Sequence, residues 1–383
     1  MFGQFIIFTI LIAAVCAGTV RNFTTFETAQ ACKAESCVLP NCRCLSTEIP
    51  NGLDVNSIPQ LVLLTFDDAV NTVNFKYYEE AFFNRKNPDG CSIGATYYIS
   101  HEYTDYSKVQ ELHARGHEIA LHSISHETMT TYWDDLSLDG YKDEFGGERT
   151  LIAKFADIPE EDIKGLRVPF LQLPGDTSFQ AIKDLGLKYD SSWPTLRYQD
   201  PPLFPYTLDY LSNQDCPVGK CPTVSLPGVW VQPMVDWTGS DGNVCAMVDS
   251  CATPDNAPEL LELMKSNFQR HYTSNKAPFG FYIHAAWFDK NPVNFEAYKQ
   301  FLDYLGTLND VYIVTVQRGI EWVQNPTTTK DLKNLWPSCP NTYEPTCEAT
   351  VCTLNKGEEV RYMTQCSDCP DVYPWLGNPL GIL

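Results

Sequence analysis

The stretch LVLLTFDD, residues 61–68, decides the fold of this chain. Apolar residues dominate its first six positions without alternation, and two adjacent carboxylates, Asp67 and Asp68, end the run. A strand that is hydrophobic on both sides is typical of a parallel sheet covered by helices on both faces. The pattern therefore predicts an α/β domain whose first strand carries two acids at its carboxyl end.

Further apolar runs continue this pattern along the chain, and amphipathic helical patterns separate them. Strands are predicted at residues 61–66, 95–100, 118–121, 165–169, 187–190, 229–232, 279–285 and 311–316. Helices are predicted at residues 75–84, 106–115, 134–155, 178–185, 258–272, 295–308 and 318–324. Strands that alternate with helices pair in parallel through crossover connections. We therefore predict a distorted (β/α)7-8 barrel with disulfide-rich N- and C-terminal extensions.

The chain divides into four predicted segments. Residues 1–17 read as a secretory signal peptide, 18–58 as a cysteine-rich N-terminal extension, 59–330 as the barrel that carries the chemistry, and 331–383 as a cysteine-rich tail packed on the barrel. The signal peptide rests on an apolar run that ends in small residues before Ala17. A membrane anchor is the alternative, although the run is short for a bilayer span. In a secreted chain, Asn22-Phe23-Thr24 would accept a glycan.

Cysteine usage also indicates export. The chain has 15 cysteines, and loss of Cys16 with the signal peptide leaves 14, an even number that predicts seven disulfides in an oxidising compartment. Two close pairs, Cys216 with Cys221 and Cys245 with Cys251, are expected to close local loops.

The pairing of the tail cysteines stays open. Five cysteines lie in the tail, so Cys91 is expected to bond to one of them and to hold the tail on the barrel. A Cys366-x-x-Cys369 spacing is compatible with a redox or zinc site, but structural disulfides are favoured in an exported chain.

Composition narrows the function classes. Hydrophobic residues make up 44% of the chain, enough for a large core, and the formal net charge is -21. Such a charge repels phosphate backbones and anionic membranes, so nucleic acid and membrane partners are not expected. A neutral polysaccharide is compatible with it.

Three polar sites follow apolar strands, where the chemistry of a barrel gathers. Asp67 and Asp68 come first; burial makes ionisation of two adjacent acids costly, and a cation would relieve this cost. Their alternative role is a solvated loop or a helix cap. His122 and His126 have the H-x-x-x-H spacing, which places both rings on one face of a helical turn. With Asp68 and a water they complete a catalytic zinc set.

Two further histidine features need an interpretation. His113 and His117 share the H-x-x-x-H spacing, but they precede the third strand, so we interpret His117 as structural and His113 as a surface residue. His284 ends another apolar strand, and its reference pKa near 6.5 suits a proton donor. A hydrogen-bonded core histidine is the alternative.

Together these motifs resemble those of the polysaccharide deacetylases, carbohydrate esterase family four, and among them the secreted arthropod chitin deacetylases. The resemblance covers residues 61–316 and is carried by five motifs in the family's order: Thr65-Phe66-Asp67-Asp68, His122-Ser123-Ile124-Ser125-His126, Arg167-Val168-Pro169-Phe170, Asp190-Ser191-Ser192-Trp193-Pro194 and Ile283-His284. The third motif departs from the family at Phe170, where a tyrosine is usual.

The resemblance implies a chitin deacetylase, a hydrolase that acts on the amide C–N bonds of N-acetylglucosamine residues in chitin or chitooligosaccharides. Zn²⁺, or another divalent transition metal, would be held by Asp68, His122 and His126. Asp67 would be the general base and His284 the general acid.

The remaining motif residues take supporting roles in this resemblance. Arg167 would set the base, Asp190 would orient the histidine or the arginine, and the backbone N–H of Phe170 would point at the developing oxyanion. Trp193 would wall the acetyl pocket, and Trp287 could offer a sugar platform, with core packing as its alternative.

The sequence leaves alternatives open for both the substrate and the catalytic activity. The chain could be a relative that acts on acetylxylan or on peptidoglycan, or a catalytically silent protein that binds chitin or organises a matrix. We expect a monomer.

Overall fold

The computed structural model describes residues 27–383 of the chain. The predicted signal peptide and the Asn22 glycosylation site lie outside the described residues. Within residues 27–383, no helix is both long enough and apolar enough to span a bilayer.

Fifteen strands are described. They are β1 (Gln60–Asp67), β2 (Ala95–Ile99), β3 (Glu118–Leu121), β4 (Gly165–Leu166), β5 (Tyr189–Asp190), β6 (Pro194–Thr195), β7 (Tyr206–Leu208), β8 (Leu226–Val231), β9 (Met234–Val235), β10 (Trp237–Thr238), β11 (Val244–Cys245), β12 (Phe279–His284), β13 (Val311–Ile313), β14 (Thr350–Lys356) and β15 (Glu359–Gln365). Each of the eight predicted strands overlaps one of these, so the predicted strand positions are confirmed.

Eleven α-helices accompany them. They are α1 (Thr72–Phe82), α2 (Tyr106–Ala114), α3 (Thr130–Asp135), α4 (Leu138–Tyr141), α5 (Gly147–Phe155), α6 (Asp176–Asp184), α7 (Ala257–Tyr272), α8 (Ala286–Lys290), α9 (Pro292–Gly306), α10 (Val316–Gln324) and α11 (Leu332–Leu335). A π-helical turn over Lys142–Gly146 joins α4 to α5. Side chains cap several helices; Asn71, for example, accepts the backbone N–H groups of Val73 and Asn74 at the start of α1.

A nine-stranded sheet forms the centre of the molecule. Its strand order is β12-β1-β2-β3-β4-β5-β8-β7, with β13 also paired to β1. All pairs are parallel except β7 with β8. Every residue of β1 is buried, as the continuous apolar run predicts. The α/β class with a mostly parallel sheet is therefore confirmed.

The two ends of the sheet, at β7 and β12, are not joined by strand pairing within residues 27–383, and β8 does not pair with β12 either. Side chains span this gap instead: the Trp237 indole N–H donates to Gly280 O at 2.9 Å, and the Tyr282 hydroxyl donates to Pro233 O at 3.2 Å. The structure thus shows a mostly parallel α/β sheet, and the closed barrel with its count of seven or eight units stays a prediction.

A glycine in β12 makes room at this junction. A Cβ at Gly280 would lie 2.0 Å from the Tyr282 ring, so only glycine lets this ring fold back along its own strand. The Tyr282 ring centroid then lies 5.4 Å from Cζ of Arg167, which reaches the carboxyl end of β1.

Seven disulfides bind the loops and extensions to this core. Cys216–Cys221 and Cys245–Cys251 close local loops, and Cys91–Cys339 links the tail to the sheet domain, as predicted. The other four are Cys32–Cys44, Cys37–Cys42, Cys347–Cys366 and Cys352–Cys369. Cys366 and Cys369 are therefore structural and do not form a redox or zinc site. The four-segment division of the chain stays a prediction.

Candidate active site

Two neighbouring strands, β1 and β12, bring Asp67 and His284 together. β1 and β12 pair in parallel with Asp67 opposite His284, so both residues lie at the carboxyl edge of the sheet. β3 ends at Leu121 on the same edge, and His122 follows it directly. The edge predicted from the apolar runs is thus the place where these side chains meet.

Asp68, His122 and His126 form one cluster. Their ligand atoms all lie within 4.8 Å of one another. Oδ1 of Asp68 is 3.2 Å from Nε2 of His126 and 3.8 Å from Nε2 of His122. One carboxylate oxygen and two imidazole nitrogens are a donor set that suits zinc and related transition metals.

The tautomer of His122 fits this use. Nδ1 of His122 is 2.8 Å from the carbonyl oxygen of Arg167, and a carbonyl can only accept, so Nδ1 carries the proton. The Nε2 lone pair is therefore directed at the cluster, as in histidines that bind metals. Burial, reinforced by the nearby His126, lowers the pKa of His122 to about 3, which keeps the ring neutral.

The His122–His126 segment is not the helical turn that its spacing predicts. No residue from 122 to 128 is helical, and Ser123 and His126 have φ values of 89° and 43°. The Ser123 hydroxyl accepts the His126 N–H at 3.1 Å and closes the turn. This prediction is wrong because a left-handed turn, in place of a helix, brings the two rings to one side, with centroids 5.0 Å apart.

Two buried glutamates support this turn from below. Oε2 of Glu148 accepts the N–H of His122 at 2.9 Å and that of Ser123 at 2.6 Å. Glu144 accepts the Ser125 N–H at 2.9 Å and its hydroxyl at 2.5 Å. Burial raises the pKa of Glu148 well above its usual value, and the charge of Glu144 adds to this, despite the two N–H donors. Nothing in the sequence marks either residue as functional, because both lie in an amphipathic stretch typical of an ordinary helix.

Asp67 is held by an arginine that is itself fully buried. Nη1 of Arg167 donates to Oδ1 of Asp67 at 2.5 Å and to Oγ1 of Thr65 at 3.1 Å. Ser191 accepts from the same guanidinium through its carbonyl and its hydroxyl, at 2.7 and 3.1 Å. Burial disfavours the charge of Arg167, but the adjacent Asp67 outweighs it and raises the arginine's pKa. The buried guanidinium therefore fixes the position of the Asp67 carboxylate.

His284 has a carboxylate partner that sequence analysis missed. Nδ1 of His284 lies 2.7 Å from Oδ2 of Asp249, while Nε2 lies 3.9 Å from Oδ2 of Asp68. Burial opposes protonation of the ring, but the hydrogen bond to Asp249 and the charges of Asp67, Asp249 and Asp68 raise the pKa of His284 to about 9. The only sequence signal was that Asp249 lies inside the Cys245–Cys251 loop.

The site opens into one cavity of about 310 Å³. Its polar wall is formed mainly by Asp67, His122, His126, Asp249 and His284. Its apolar wall comes from Leu171, Met247 and Ala246, together with the half-exposed Phe170 ring. The cavity thus combines a possible metal site, a carboxylate, an imidazole and an apolar pocket. That combination suits hydrolysis of an ester or an amide with a small apolar acyl group.

Comparison with known proteins agrees with this chemistry. The family model "Polysaccharide deacetylase" matches residues 54–189. Chitin deacetylase 8 of Bombyx mori is 43% identical over 379 residues, which cover 97% of this chain and 98% of that protein. Chitin deacetylase 1 of Bombyx mori is 39% identical over 374 residues, covering 92% of this chain and 69% of that protein.

The chain belongs to the polysaccharide deacetylase family. It is accordingly a hydrolase of the deacetylase class, as the five motifs predict. Among solved structures, a peptidoglycan deacetylase from Bacillus subtilis is 15% identical with a TM-score of 0.39, covering 74% of this chain and 100% of that chain.

Asp190 reaches the arginine of this polysaccharide deacetylase only through the neighbouring serines. It accepts the backbone N–H of Ser192 at 2.8 Å and its hydroxyl at 2.6 Å, and it makes no hydrogen bond to His284 or Arg167 within the described residues. Burial raises the pKa of Asp190 to about 6. Its contact with the arginine runs through the Ser191–Ser192 segment, whose first residue accepts from the guanidinium.

The predicted aromatic contacts divide in two. Phe170 is 46% exposed and its ring lies 5.4 Å from that of His126, so it faces the cavity. Trp193 is fully buried and donates to Asp215 O at 2.8 Å, while Trp287 is 3% exposed against Phe288. Neither tryptophan lines the cavity. Both indoles pack in the core, so the structure gives no support to Trp193 as acetyl-pocket wall or to Trp287 as sugar platform.

Proposed function

We propose that this chain is a secreted, zinc-dependent chitin deacetylase that hydrolyses the acetamido groups of N-acetylglucosamine residues. One observation carries the proposal: Asp68, His122 and His126 cluster around one point, with Asp67 and His284 beside them at the same sheet edge. The names of the two Bombyx mori relatives support chitin as the substrate.

Zinc fits the residues present, because the cluster offers two imidazole nitrogens and one carboxylate oxygen. When bound, zinc supplies Lewis-acid chemistry, which polarises a carbonyl and makes water more acidic. The protein's part is to hold the donors. Glu148 holds the backbone of His122, and the Arg167 carbonyl sets its tautomer.

Asp67 acts as general base in this proposal. It removes a proton from the water that attacks the acetyl carbonyl. The hydrogen bond from Arg167 occupies Oδ1, so Oδ2, which lies 3.9 Å from Nε2 of His122, is left to accept the proton.

His284 acts as general acid. Asp249 accepts the proton on Nδ1, so the exchangeable proton of the imidazolium sits on Nε2, the nitrogen that faces the site. The C–N bond breaks as this proton moves to the nitrogen of the sugar, and the products are acetate and a free amine. A proton donor is needed because an amide anion is a very poor leaving group.

The Phe170 backbone supports the oxyanion in this scheme. Phe170 has a φ of 57°, a conformation that non-glycine residues adopt rarely and that is found often at functional sites. We propose that its N–H donates to the carbonyl oxygen as negative charge develops there. The phenyl ring lines the cavity beside His126, where a tyrosine is usual in the family.

Secretion and a monomeric state belong to the same proposal. Seven disulfides are expected of an exported protein, and residues 27–383 contain no candidate membrane span. An exported enzyme with an open site is suited to an extracellular polymer.

The decisive experiment measures acetate release from a series of N-acetylglucosamine oligomers, alongside metal analysis of the same protein. We expect acetate from the oligomers, loss of activity on chelation and recovery with Zn²⁺. Faster release from acetylxylan or peptidoglycan would reassign the substrate within the family. Binding to chitin without acetate release, with zinc supplied, would identify a catalytically silent chitin-binding protein.

A further inference from the structure

A loop at the catalytic edge presents an exposed tyrosine. The loop follows β2, and it lies between the two loops that carry the proposed metal ligands: Asp105 N–H donates to Val70 O at 2.7 Å, and His101 N–H donates to Ser123 O at 3.3 Å. Within this loop Tyr103 is 73% exposed and has a φ of 67°. A bulky residue in this backbone conformation is strained, and the exposed ring makes no core contacts that would offset the strain.

The C-terminal tail is docked onto the same loop. Oε1 of Glu102 lies 3.2 Å from both Nζ of Lys356 and Nε of Arg361, which belong to the β14–β15 hairpin. The buried ring of His101 reaches Pro374 O at 2.9 Å. Two disulfides, Cys347–Cys366 and Cys352–Cys369, hold the hairpin in shape. The hairpin is therefore a fixed extension of the catalytic edge.

The outward face of this hairpin is uncharged. Strand alternation turns Cys352, Leu354 and Met363 inward. Six cross-strand neighbours form the outward face: Val351, Thr353, Asn355, Val360, Tyr362 and Thr364. In a chain of net charge -21, a sheet face without a single charge is unusual, since solvated faces are normally rich in Lys, Glu and Asp. Tyr362 is 72% exposed at its centre.

The chemistry of this face matches a neutral sugar chain. Pyranose rings present C–H faces that pack on aromatic rings, and their hydroxyl and acetamido groups pair with Thr and Asn side chains. A neutral ligand places no charge against the face. The Tyr103 loop bonds to the loops after β1 and β3, and Asp105 pairs with Thr364 of β15 in a parallel bridge, so the hairpin adjoins the catalytic edge.

We propose that Tyr103 and the outward face of the β14–β15 hairpin bind further sugar residues of the chitin chain, away from the residue that reacts. The inference rests on the proposed function, because it takes the same polymer as ligand. It assigns the tail a role in holding the polymer, beyond its disulfide link to the domain.

The test compares three variants, Tyr103→Ala, Tyr362→Ala and the double variant, with wild-type protein. Leu211→Ala is the matched control, since Leu211 is an exposed apolar residue next to the N-terminal extension. Partition onto insoluble chitin is measured at low and high salt, and kcat/KM is measured on a short N-acetylglucosamine oligomer. We expect the double variant to bind insoluble chitin roughly tenfold more weakly, with each single variant in between.

Three further results are expected if the inference is right, and the reverse of any one of them would count against it. The control should bind like wild type, binding should be insensitive to salt because no ion pair forms, and kcat/KM on the short oligomer should not change. Unchanged partition of the double variant would overturn the inference, as would a wild-type dimer that the double variant converts to monomer while chitin binding persists. Failure of the proposed function shows separately, as absence of acetate from the short oligomer with wild-type protein.

Discussion

The imidazole of His284 and the carboxylate of Asp249 lie 2.7 Å apart, although the two residues come from different parts of the chain. Asp249 lies in a short helical turn, Val248–Ser250, inside the loop closed by Cys245–Cys251. The side chain of Asp249 is 11% exposed and that of His284 is 33% exposed, so solvent screens the pair only partly. A disulfide-closed loop thus orients the histidine at the end of β12.

Removing the charge of Asp249 is predicted to slow turnover without removing metal. Asp249→Asn keeps the size of the side chain but loses the carboxylate that orients and stabilises the imidazolium. We expect kcat to fall by about tenfold or more, and His284→Ala to cost about 10²- to 10⁴-fold. Acetate-release kinetics and zinc analysis check both values. A wild-type rate for Asp249→Asn would remove this residue from the mechanism.

Asp67→Asn is predicted to separate turnover from metal binding. An asparagine can still accept from Arg167, but it cannot take a proton from water. We expect zinc content to be retained and kcat to fall by about 10²-fold or more. Single-turnover acetate release with a metal-loaded sample measures this. An active variant would show that another group is the base.

His126→Ala is predicted to lower metal content. His126 supplies one of the three donors that lie within 4.8 Å of one another. His113→Ala is the matched control, because His113 has the same H-x-x-x-H spacing but contacts Tyr343 and Asp162 instead. Metal analysis after dialysis should show a loss for the first variant alone. Full zinc stoichiometry in His126→Ala would contradict its place in the cluster.

Glu148 is predicted to tune metal affinity from beneath the His122–His126 turn. Glu148→Ala leaves the Ser123 N–H without its acceptor and removes one of the two acceptors of the His122 N–H, which keeps Ile99 O at 2.8 Å. Loss of such support typically weakens metal binding about 10- to 100-fold. Glu148→Gln retains an acceptor oxygen and should restore most of the affinity. Competition with a chelating dye measures the zinc dissociation constant directly. Equal affinities for the Ala and Gln variants would rule out this support.

His271 is predicted to make folding sensitive to acid. The ring is buried with Nδ1 2.9 Å from Ala277 O, and burial lowers its pKa to about 3. The unfolded chain therefore binds a proton that the folded chain does not, so stability falls as pH drops below the unfolded pKa of about 6.5. Between pH 7 and pH 5 this costs about 2 kcal/mol.

Denaturant melts at the two pH values compare wild type with His271→Gln, which keeps a hydrogen-bond donor but cannot titrate. The loss of unfolding free energy on acidification should be smaller in the variant by that amount. Parallel pH dependence in the two proteins would contradict the prediction.

The local sequence predicted most of the scaffold and the position of the central site. Continuous apolar runs identified β1, β3 and β12, because strands of a parallel sheet are covered on both faces. Parallel pairing puts all their carboxyl ends at one edge, so the sequence alone predicts that Asp67, His122 and His284 lie together. The count of cysteines likewise predicted seven disulfides, and the odd number in the tail predicted the link from Cys91.

The tertiary structure alone decided how loops and rings use that edge. The His122–His126 segment has a helical spacing but forms a left-handed turn at Ser123, because Glu148, from another element, holds the backbone there. Trp193 and Trp287 packed in the core, and Asp249 reached His284 from a loop whose path no periodicity encodes. The pattern of buried positions in a strand or helix follows from residues close together in the sequence. Loop paths and side-chain contacts instead depend on groups far apart in the chain, which meet only when the fold forms.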